Sequence, residues 1–554
     1  MQIVIRLILV INILFLTLSF GYSQKKGGVK VIKTKRAKGM VIDGESVTKL
    51  YGDVHLRKDD VDFFCDSAIR YEKKHDFVAY GHVKMLKGDS ITLLSNKLYH
   101  TGLTGISKFI GNVILKDHHM ILTTEHLDYN KNTDLAFYYD KGVVIDGEVH
   151  LVSETGVYNV NSKVFNFYTD VVVIQPENRI SSDTLRYNRL TGVVYFEGPT
   201  DIKNKDNDLY AEKGEYHTTT EDSYFSKHAV VETPKYILKG DSLYFNSKTT
   251  NGHVFGKVII HSKKDSLFIF GKEAVRNGVL GTMKVFGDRA LMEKIHGLDT
   301  TYILADTLFA IEDTLTHEQE RILAYNDVMI YKQDLQAICD SLVNDFKDST
   351  IYFYNEPIMW NDENQISGDT VKVVSVKKEI SRVYTHGHSF TIKNHHGTQY
   401  DQIKGRNTVT YFKDNELEKV KVFGNGECLY YINDEEDKTF TGVNRIECSE
   451  MTVKFTDKAM SDITFLSLPD AHFYPPKLLT DDLTYLSDFV WQINKRPLLA
   501  EFREVQGKYI EIQAVEVSVK SKEDTPAIDE LEGISRKVKK KKEKKGLLKK
   551  KSLN

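Results

Sequence analysis

Residues 81–110 read GHVKMLKGDSITLLSNKLYHTGLTGISKFI, and this stretch decides the fold because it holds one complete unit of a repeat. Its anchor, Gly81-His82-Val83, starts a run in which apolar residues alternate with polar ones, as at Val83 and Met85. A period of two predicts a β-strand with one face buried. The turn sequence Lys87-Gly88-Asp89 follows, then a second run, and at Gly111 the pattern starts again.

The anchor recurs along most of the chain, at intervals of 28 to 31 residues with a single longer interval of 39. We interpret the longer interval as a repeat with a polar insertion near Glu312–Glu320. The series continues less regularly through Gly387, Gly405 and Gly424 to about Phe473. The regular anchors are Gly52-Asp53-Val54, Gly81-His82-Val83, Gly111-Asn112-Val113, Lys141-Gly142-Val143, Thr169-Asp170-Val171, Gly198, Lys227, Gly256, Gly287, Asn326 and Asn355.

A second strand follows each anchor and carries a recurrent polar residue, here called the polar slot. The slot is occupied by Asp66, Asn96, Glu125, Glu154, Asp183, Glu212, Asp241, Asp306, Asp340 and Asp369. Each repeat thus supplies at least two strands and two turns, and one repeat cannot bury its apolar face alone. We therefore predict an all-β fold, an elongated antiparallel stack of repeats of about 29 residues. At two rungs of ~4.8 Å per repeat, the stack would be on the order of 100 Å long.

The alternating apolar residues after the anchors are the candidate functional site. If the two faces of the stack do not close fully, these side chains line a continuous trough that suits hydrocarbon chains. The alternative is that they meet and fill a dry core. The candidates are Val54, Leu56, Val83, Met85, Val113, Leu115, Val143, Ile145, Val171, Val173, Val258, Ile260, Val328 and Ile330.

The two ends of the chain differ from the repeats. Met1–Ser23 has the basic start, apolar run and small-residue exit of a secretory signal peptide, which predicts export; an uncleaved membrane anchor is the alternative. Pro475-Pro476 ends the repeats. Asp481–Asn494 has helix-like apolar spacing, which we interpret as a helix that caps the stack, with an irregular strand pair as the alternative.

The predicted organisation therefore has five parts. They are a signal peptide at 1–23, a first β-repeat domain at 24–190, continuing β-repeats at 191–474, a C-terminal capping segment at 475–517, and a disordered Lys-rich tail at 518–554. Within the tail, Arg536–Asn554 carries eleven basic residues and one acidic residue, which suits contact with anionic lipid headgroups.

Composition excludes several classes of protein. The 554 residues include 75 Lys and Arg against 78 Asp and Glu, a net charge of −3, which excludes a uniformly basic nucleic-acid binder. After the signal segment, no run approaches the ~20 apolar residues of a membrane span. Four cysteines cannot form a disulfide scaffold, although Cys428 and Cys448 are close enough in sequence to pair.

We expect neither a catalytic site nor a metal or cofactor site. The polar slot repeats identically, whereas a catalytic carboxylate pair needs two different environments. A calcium column is the residual alternative for the slot. His118-His119, His386, His388, His395 and His396 lack supporting ligand spacing and are interpreted as surface histidines.

The Gly-Asp/Asn-Val anchor, followed by a strand with a polar-x-Leu-x-Tyr pattern, resembles the OstA/LptA family of lipopolysaccharide-transport proteins, and in particular the long OstA-like proteins of Bacteroidetes-type bacteria. The resemblance covers roughly residues 30–470. It implies a β-taco or β-jellyroll fold and a non-enzymatic periplasmic protein whose apolar groove shelters the acyl chains of lipopolysaccharide. The implied partners are lipopolysaccharide or lipid A, inner- and outer-membrane Lpt-type components, and further copies of the chain joined end to end, with no nucleic acid.

Two other classes of function remain open at this point. A structural β-solenoid scaffold or adhesin would have a filled core and protein partners only. An envelope enzyme that acts on carbohydrate would need a cluster of carboxylates or basic residues at one unique place, and the sequence shows repetition instead.

Overall fold

The computed structural model describes residues 28–510, apart from gaps at 90, 206, 265, 298, 317, 377–378, 396, 414–415, 435–438, 457–458 and 468. The predicted signal peptide and Lys-rich tail lie outside the described residues. The strands, in chain order from β1 to β34, are Lys30–Lys33, Arg36–Ile42, Glu45–Lys58, Val61–Tyr71, Phe77–Lys87, Ile91–Thr101, Ile106–Asp117, Met120–Asn130, Leu135–Tyr138, Gly142–Asp146, Val149–Ser153, Thr155–Asn159, Val164–Ile174, Asn178–Asn188, Val193–Asn204, Asp208–His217, Asp222–Glu232, Tyr236–Asn246, Gly252–Ser262, Leu267–Asn277, Thr282–His296, Asp299–Glu312, Gln319–Lys332, Leu335–Asp345, Thr350–Tyr354, Ile358–Asn361, Asn364–Ser367, Thr370–Val376, Glu379–Asn394, Tyr400–Lys413, Glu416–Asn433, Phe440–Thr456, Ala459–Leu466 and Asp470–Tyr474.

All the pairings are antiparallel, and each long strand pairs with the strands or split strands before and after it, so the chain forms one continuous meander. In six places a strand is split into two short halves that pair with the same long strand; β9 and β10, for example, both pair with β8. The predicted all-β stack of antiparallel strands is therefore confirmed. The strands, together with the chain up to Tyr509, belong to one compact unit.

The anchors bend the strands rather than start them, which differs from the prediction. At Gly81 and His82, φ is 73° and 42°, and the pairing of β5 with β6 shifts between Tyr80 and Val83. Two left-handed residues in a row form a bulge that turns the strand through a corner. Because this bulge recurs at successive anchors, the whole sheet folds over on itself.

The polar slot lies against the anchor at the bend. A Cβ built on Gly81 would be 2.2 Å from Oδ2 of Asp66, so the slot carboxylate occupies the space that glycine leaves. The same carboxylate lies 2.8 Å from Nδ1 of His82. Asp241 lies inside β18, at a point where the pairing with β19 shifts between Lys239 and Ser242. Asp241 and Asp369 stand against Gly256 and Gly387 in the same way, so several of the recurrent carboxylates have a structural role at a bend.

Folding brings two halves of each strand face to face. Half A ends in turns such as 59–60, 88–89 and 118–119, and half B ends in turns such as 72–74, 102–105 and 131–134. Phe63 in half A meets Phe77 in half B, with ring centroids 5.0 Å apart. The two rows of turns, edge A and edge B, meet along a line that we call the seam.

The C-terminal helix is not where the sequence predicts it. Residues 481–494 form extended chain with short 3-10 turns at Asp481–Leu483 and Ile493–Lys495, and the α-helix, α1, is Leu499–Ile510. The segment 475–498, here called the strap, runs over the outer face of half A instead of capping the end of the stack. Buried glutamines explain this: Gln402 hydrogen-bonds the Thr484 carbonyl at 3.0 Å and the Leu486 amide at 2.8 Å. An extended backbone is thereby satisfied without helical hydrogen bonds.

Helix α1 continues the strap across the same outer face. Phe502, Val505 and Tyr509 are buried against Phe270, Leu291, Leu304 and their neighbours. Gln506 donates to Glu293 at 2.6 Å. The outer face of half A is thus covered toward the C-terminus of the stack.

Candidate functional site

The predicted apolar columns lie in half A and point into the fold. Thirteen of the fourteen candidates are buried, and Ile145 is half-buried. In β10 the inward residue is Val144, not Val143 or Ile145, so the predicted register is wrong there. The Tyr138 ring explains the shift, since a Cβ on Gly142 would be 2.3 Å from it. The structural anchor is Asp140, 29 residues from both Gly111 and Thr169, and this even spacing was readable from the sequence.

Six of the candidates belong to one row that crosses 22 strands. Each residue of the row is the direct register partner of the next, and all are buried except the last, which is half-buried. The row is Leu56, Phe63, Met85, Leu93, Leu115, Leu122, Val144, Leu151, Val173, Ile180, Ile202, Leu209, Val231, Leu238, Ile260, Ile269, Met292, Ile303, Ile330, Ala337, Met359 and Ile366. This row of half A is therefore apolar without interruption.

The two halves fill this interior in the present structure. One internal cavity, lined by residues that include Phe63, Met85 and Tyr129, has a volume of about 10 Å³. Another, beside Ile269 and Met292, also measures about 10 Å³. Each is the size of a single water molecule, so an acyl chain would have to displace one half from the other.

Ion pairs join the two edges along the seam in the N-terminal part of the fold. Lys87 of edge A pairs with Asp134 of edge B, and Lys131 of edge B contacts Asp59 at 2.6 Å. Lys163 contacts Asp117 at 2.5 Å, and Arg189 contacts Asp146 at 2.6 Å. We call the part of the fold from β3 to β15 the latched region.

These latches connect distant parts of the sequence. The partners are 47 residues apart for Lys87 and Asp134, 46 for Lys163 and Asp117, and 43 for Arg189 and Asp146. For these three latches the spacing is about one and a half repeats, because the folded sheet is sheared so that edge A meets the edge B of a later repeat. Lys131 and Asp59 are 72 residues apart, which is about two and a half repeats. Sequence analysis missed the latches, although Lys87 stands in its turn sequence Lys87-Gly88-Asp89.

Asp117 is the most buried carboxylate of the seam, with a fully covered side chain. Burial by itself raises its pKa, but hydrogen bonds from Lys163, Tyr158 and His118 outweigh that effect and hold the pKa below its ordinary value. Asp134 follows the same pattern, with Lys87 and Tyr129 as the main donors that lower its pKa. Both carboxylates are thus ionised partners for the seam cations.

A lysine and a histidine are buried where the seam begins. Lys58 donates to the Gly102 carbonyl at 3.0 Å, and its Nζ lies 3.3 Å from Nε2 of His100. Nδ1 of His100 lies 2.9 Å from the Ser107 hydroxyl. Burial and then the charge of Lys58 lower the pKa of His100 to about 3, so the ring is neutral and accepts from the lysine.

The remaining sequence candidates are not gathered into one cluster in the part of the chain that is described. There, no group of three or more His, Cys, Asp or Glu is placed to hold a metal ion. His388 lies on the surface beside Asp369, at 2.9 Å, and His118 beside Asp117. All four cysteines are buried free thiols, so Cys428 and Cys448 are not bonded to each other. None of the described helices is long and apolar enough to cross a bilayer.

Comparisons with known proteins bear on the N-terminal repeats. Among solved structures, the chain is similar to the crystal structure of LptH from Pseudomonas aeruginosa, described as the LptA homologous periplasmic component of the conserved lipopolysaccharide transport device. That similarity has 15% identity and a TM-score of 0.17, and covers 18% of this chain and 75% of that one. No curated protein matches the chain in sequence. A family model described as OstA-like protein matches residues 26–183 and 178–241, the latched region and the strands that follow it. Over these residues the chain is similar to the OstA-like family.

Proposed function

We propose that the chain is a non-enzymatic periplasmic protein that binds lipopolysaccharide and shelters its acyl chains in the apolar interior during transfer to the outer membrane. The proposal rests on the unbroken apolar row in the interior. The seam in front of this row is held together by side-chain contacts. The OstA-like match supports it, because the resemblance that led to this family implies lipopolysaccharide transport.

Opening along the seam does not break the sheet. The backbone hydrogen bonds join successive strands along the stack, whereas the contacts across the latched seam are ion pairs and side-chain hydrogen bonds. A partly exposed ion pair contributes only about 0–1 kcal/mol. Separating the two halves would expose apolar surface, which costs free energy. An inserted acyl chain would offset this cost by about 0.8 kcal/mol for each CH₂ group that it buries.

The basic residues of the seam are suited to bind the charged headgroup of such a lipid. Lys87, Lys131, Lys163 and Arg189 stand along the line where the headgroup of an inserted lipid would lie. When the halves part, phosphate groups can replace the carboxylates as partners, and ammonium and guanidinium groups are good donors to phosphate. The latches would then serve both to close the empty interior and to hold the headgroup.

The ends of the stack support contact with further β-structure. At one end, β1 and β2 pair with β3 as two halves of a terminal strand, and at the other end β33 and β34 pair with β32 in the same way. Such edge strands present unpaired backbone groups. We propose that these edges meet Lpt-type membrane components or further copies of the chain.

A filled-core scaffold is the second candidate, and the closely packed interior favours it. Photo-crosslinking separates the two. A small aliphatic diazirine side chain at Val113 or Val171 should capture lipopolysaccharide in the cell envelope, because these residues face the interior. The outward neighbours Ile114 and Val172 are matched controls. Capture from the outward positions alone, or from none of the four, would favour the scaffold.

A further inference from the structure

A hollow lies on the outer face of half B, on the opposite side of the sheet from the apolar interior. It lies over β13 to β17 and has a volume of about 450 Å³, and a second hollow of about 490 Å³ lies over β17 to β19. Tyr224 lines both, so the two form one groove across the strands. The strap covers half A toward the other end of the stack and does not line this groove.

A row of direct cross-strand partners forms the wall of the groove. Planar side chains dominate the row, and aromatic rings are interspersed with a guanidinium, a carboxylate and an imidazole. The row is Arg186, Tyr195, Glu215, Tyr224, Tyr244 and His253. Since neighbouring strands are about 4.8 Å apart, the row offers a stacking or hydrogen-bonding group at every strand.

The rings of this row are accessible and mutually supported. The Tyr224 side chain is 47% exposed, the largest exposure among the aromatic rings of the row. Its ring centroid is 5.0 Å from that of Tyr244, and the Arg186 guanidinium lies 4.4 Å from the centre of the Tyr195 ring. Tyr244 donates to Asp222 at 2.9 Å. These contacts fix the rings as platforms, so a ligand would meet a preorganised surface.

Charge in the first hollow is balanced. Two cations, Arg186 and Lys213, stand beside two carboxylates, Glu197 and Glu215, and Lys213 pairs with Glu197 at 3.1 Å. The two carboxylates would repel a phosphate backbone. A hydrocarbon chain would remove water from all four charged groups without replacing their hydrogen bonds. An uncharged ligand with many hydroxyl groups fits, because carboxylates and guanidinium groups hydrogen-bond hydroxyls in pairs while aromatic rings pack on apolar sugar faces.

We propose that this groove binds an uncharged glycan chain, laid across the strands along the row from Arg186 to His253. The site is separate from the apolar interior. Its ligand is a carbohydrate, whether it comes from the polysaccharide part of a lipid or from a cell-wall polymer.

Calorimetric titration of the mature protein tests the proposal with two lipid-free probes. One is an uncharged polysaccharide released from lipopolysaccharide by mild acid, and the other is a linear oligomer of N-acetylglucosamine. We expect at least one probe to bind, and Tyr224→Ala and Arg186→Ala each to weaken binding tenfold or more. Tyr354→Ala removes an outward ring, 37% exposed, that does not line the groove, and should leave binding unchanged.

The probe that binds identifies the source of the glycan. Binding of neither probe to the unaltered protein, or equal binding by the groove variants and Tyr354→Ala, would overturn the proposal. Acyl-chain capture from Val113 is expected to be unaffected by Tyr224→Ala. Failure of the groove and failure of the proposed lipid function are therefore separate results.

Discussion

The latched region and the strap-covered region close the same interior in different ways. From β3 to β15, ion pairs cross the seam and the outer face of half A carries no second layer among the described residues. Beneath the strap and α1, half A is held from outside by a layer of buried side chains. The contacts across the seam there include cation–π pairs, such as Lys294 over the Phe346 ring at 5.5 Å.

This difference indicates which part of the interior can open. A charged latch can exchange its carboxylate for another anion, whereas an apolar layer on the outer face must be peeled away before half A can move. We expect opening to be confined to the latched region, and the strap to keep the C-terminal strands closed. The following variants test that division, in order of expected effect.

Phe502→Ala should have the largest effect, on the strap-covered region alone. The ring is fully buried between α1 and half A, and removing such a ring costs about 3–5 kcal/mol. Hydrogen exchange should show α1 released while the latched region keeps its protection. Glu504→Ala, on the exposed side of α1, is the control. Equal loss of protection in both regions would contradict the division.

Asp117→Asn should loosen the latched region alone. The change leaves Lys163 and Arg189 without their buried carboxylate, and breaking such a pair costs about 3–5 kcal/mol. Water can hydrogen-bond Lys163 and Arg189 once the seam parts. We therefore expect a loss of stability near the lower end of this range. Lipid capture from Val113 should increase and urea resistance should fall. The exposed pair of Asp53 and Lys35 provides a control in Asp53→Asn, which should change neither measurement.

The buried histidine should make the latched region sensitive to pH. His100 has a folded pKa of about 3, whereas in the unfolded chain it is protonated below about pH 6.5. Its contribution to stability is complete above pH 6.5 and is lost as the pH falls toward 3, at about 1.4 kcal/mol per pH unit. Between pH 6.5 and 5 the loss is about 2 kcal/mol.

Chemical unfolding at several pH values measures this slope. His100→Gln keeps an acceptor for Lys58 and should flatten the slope in this range, whatever its effect on absolute stability. His119→Gln, at an exposed turn, should leave the slope as it is. An unchanged slope in His100→Gln would show that the acid sensitivity has another origin.

Gln365→Leu should have the smallest effect, again on the strap. The amide of Gln365 donates to the Val490 carbonyl and accepts from the Gln492 amide, both at 2.8 Å. Losing these two hydrogen bonds, of about 1 kcal/mol each, together with the longer one that Trp360 Nε1 donates to Gln365 at 3.3 Å, should release the middle of the strap. Limited proteolysis at 485–495 should become faster, while Gln399→Leu, outside this contact, should not accelerate it. Unchanged cleavage in Gln365→Leu would mean that the apolar contacts alone hold the strap.

The sequence predicts the repeat and the inward face well, because both depend on local alternation. The bend at each anchor was not predictable from alternation, since a strand that starts at Gly81 and a strand that bends there have the same apolar pattern. The register of Val143 failed because Tyr138 is large and Gly142 takes the place that valine has in other repeats. Even spacing of the anchors would have corrected it.

The contacts across the seam and the course of the strap could not be predicted from the sequence, for a different reason. Lys163 and Asp117 meet only because the folded sheet is sheared by one and a half repeats, and no local pattern encodes that shear. Apolar spacing in 481–494 indicates a helix only if the segment must form its backbone hydrogen bonds within itself. Gln402 and Gln365, more than 80 residues away in sequence, supply those hydrogen bonds instead.

The spacing of the latches has a consequence for how the seam would part. The segment between Lys87 and Asp134 overlaps the segment between Asp117 and Lys163, which in turn overlaps the segment between Asp146 and Arg189. Release of one latch therefore leaves the same strands fastened by the next, and a gap wide enough for a lipid needs neighbouring latches to yield together. Opening should be cooperative between adjacent repeats and should travel along the fold, and under the proposed function a lipid would advance as one stretch opens and the stretch behind it closes.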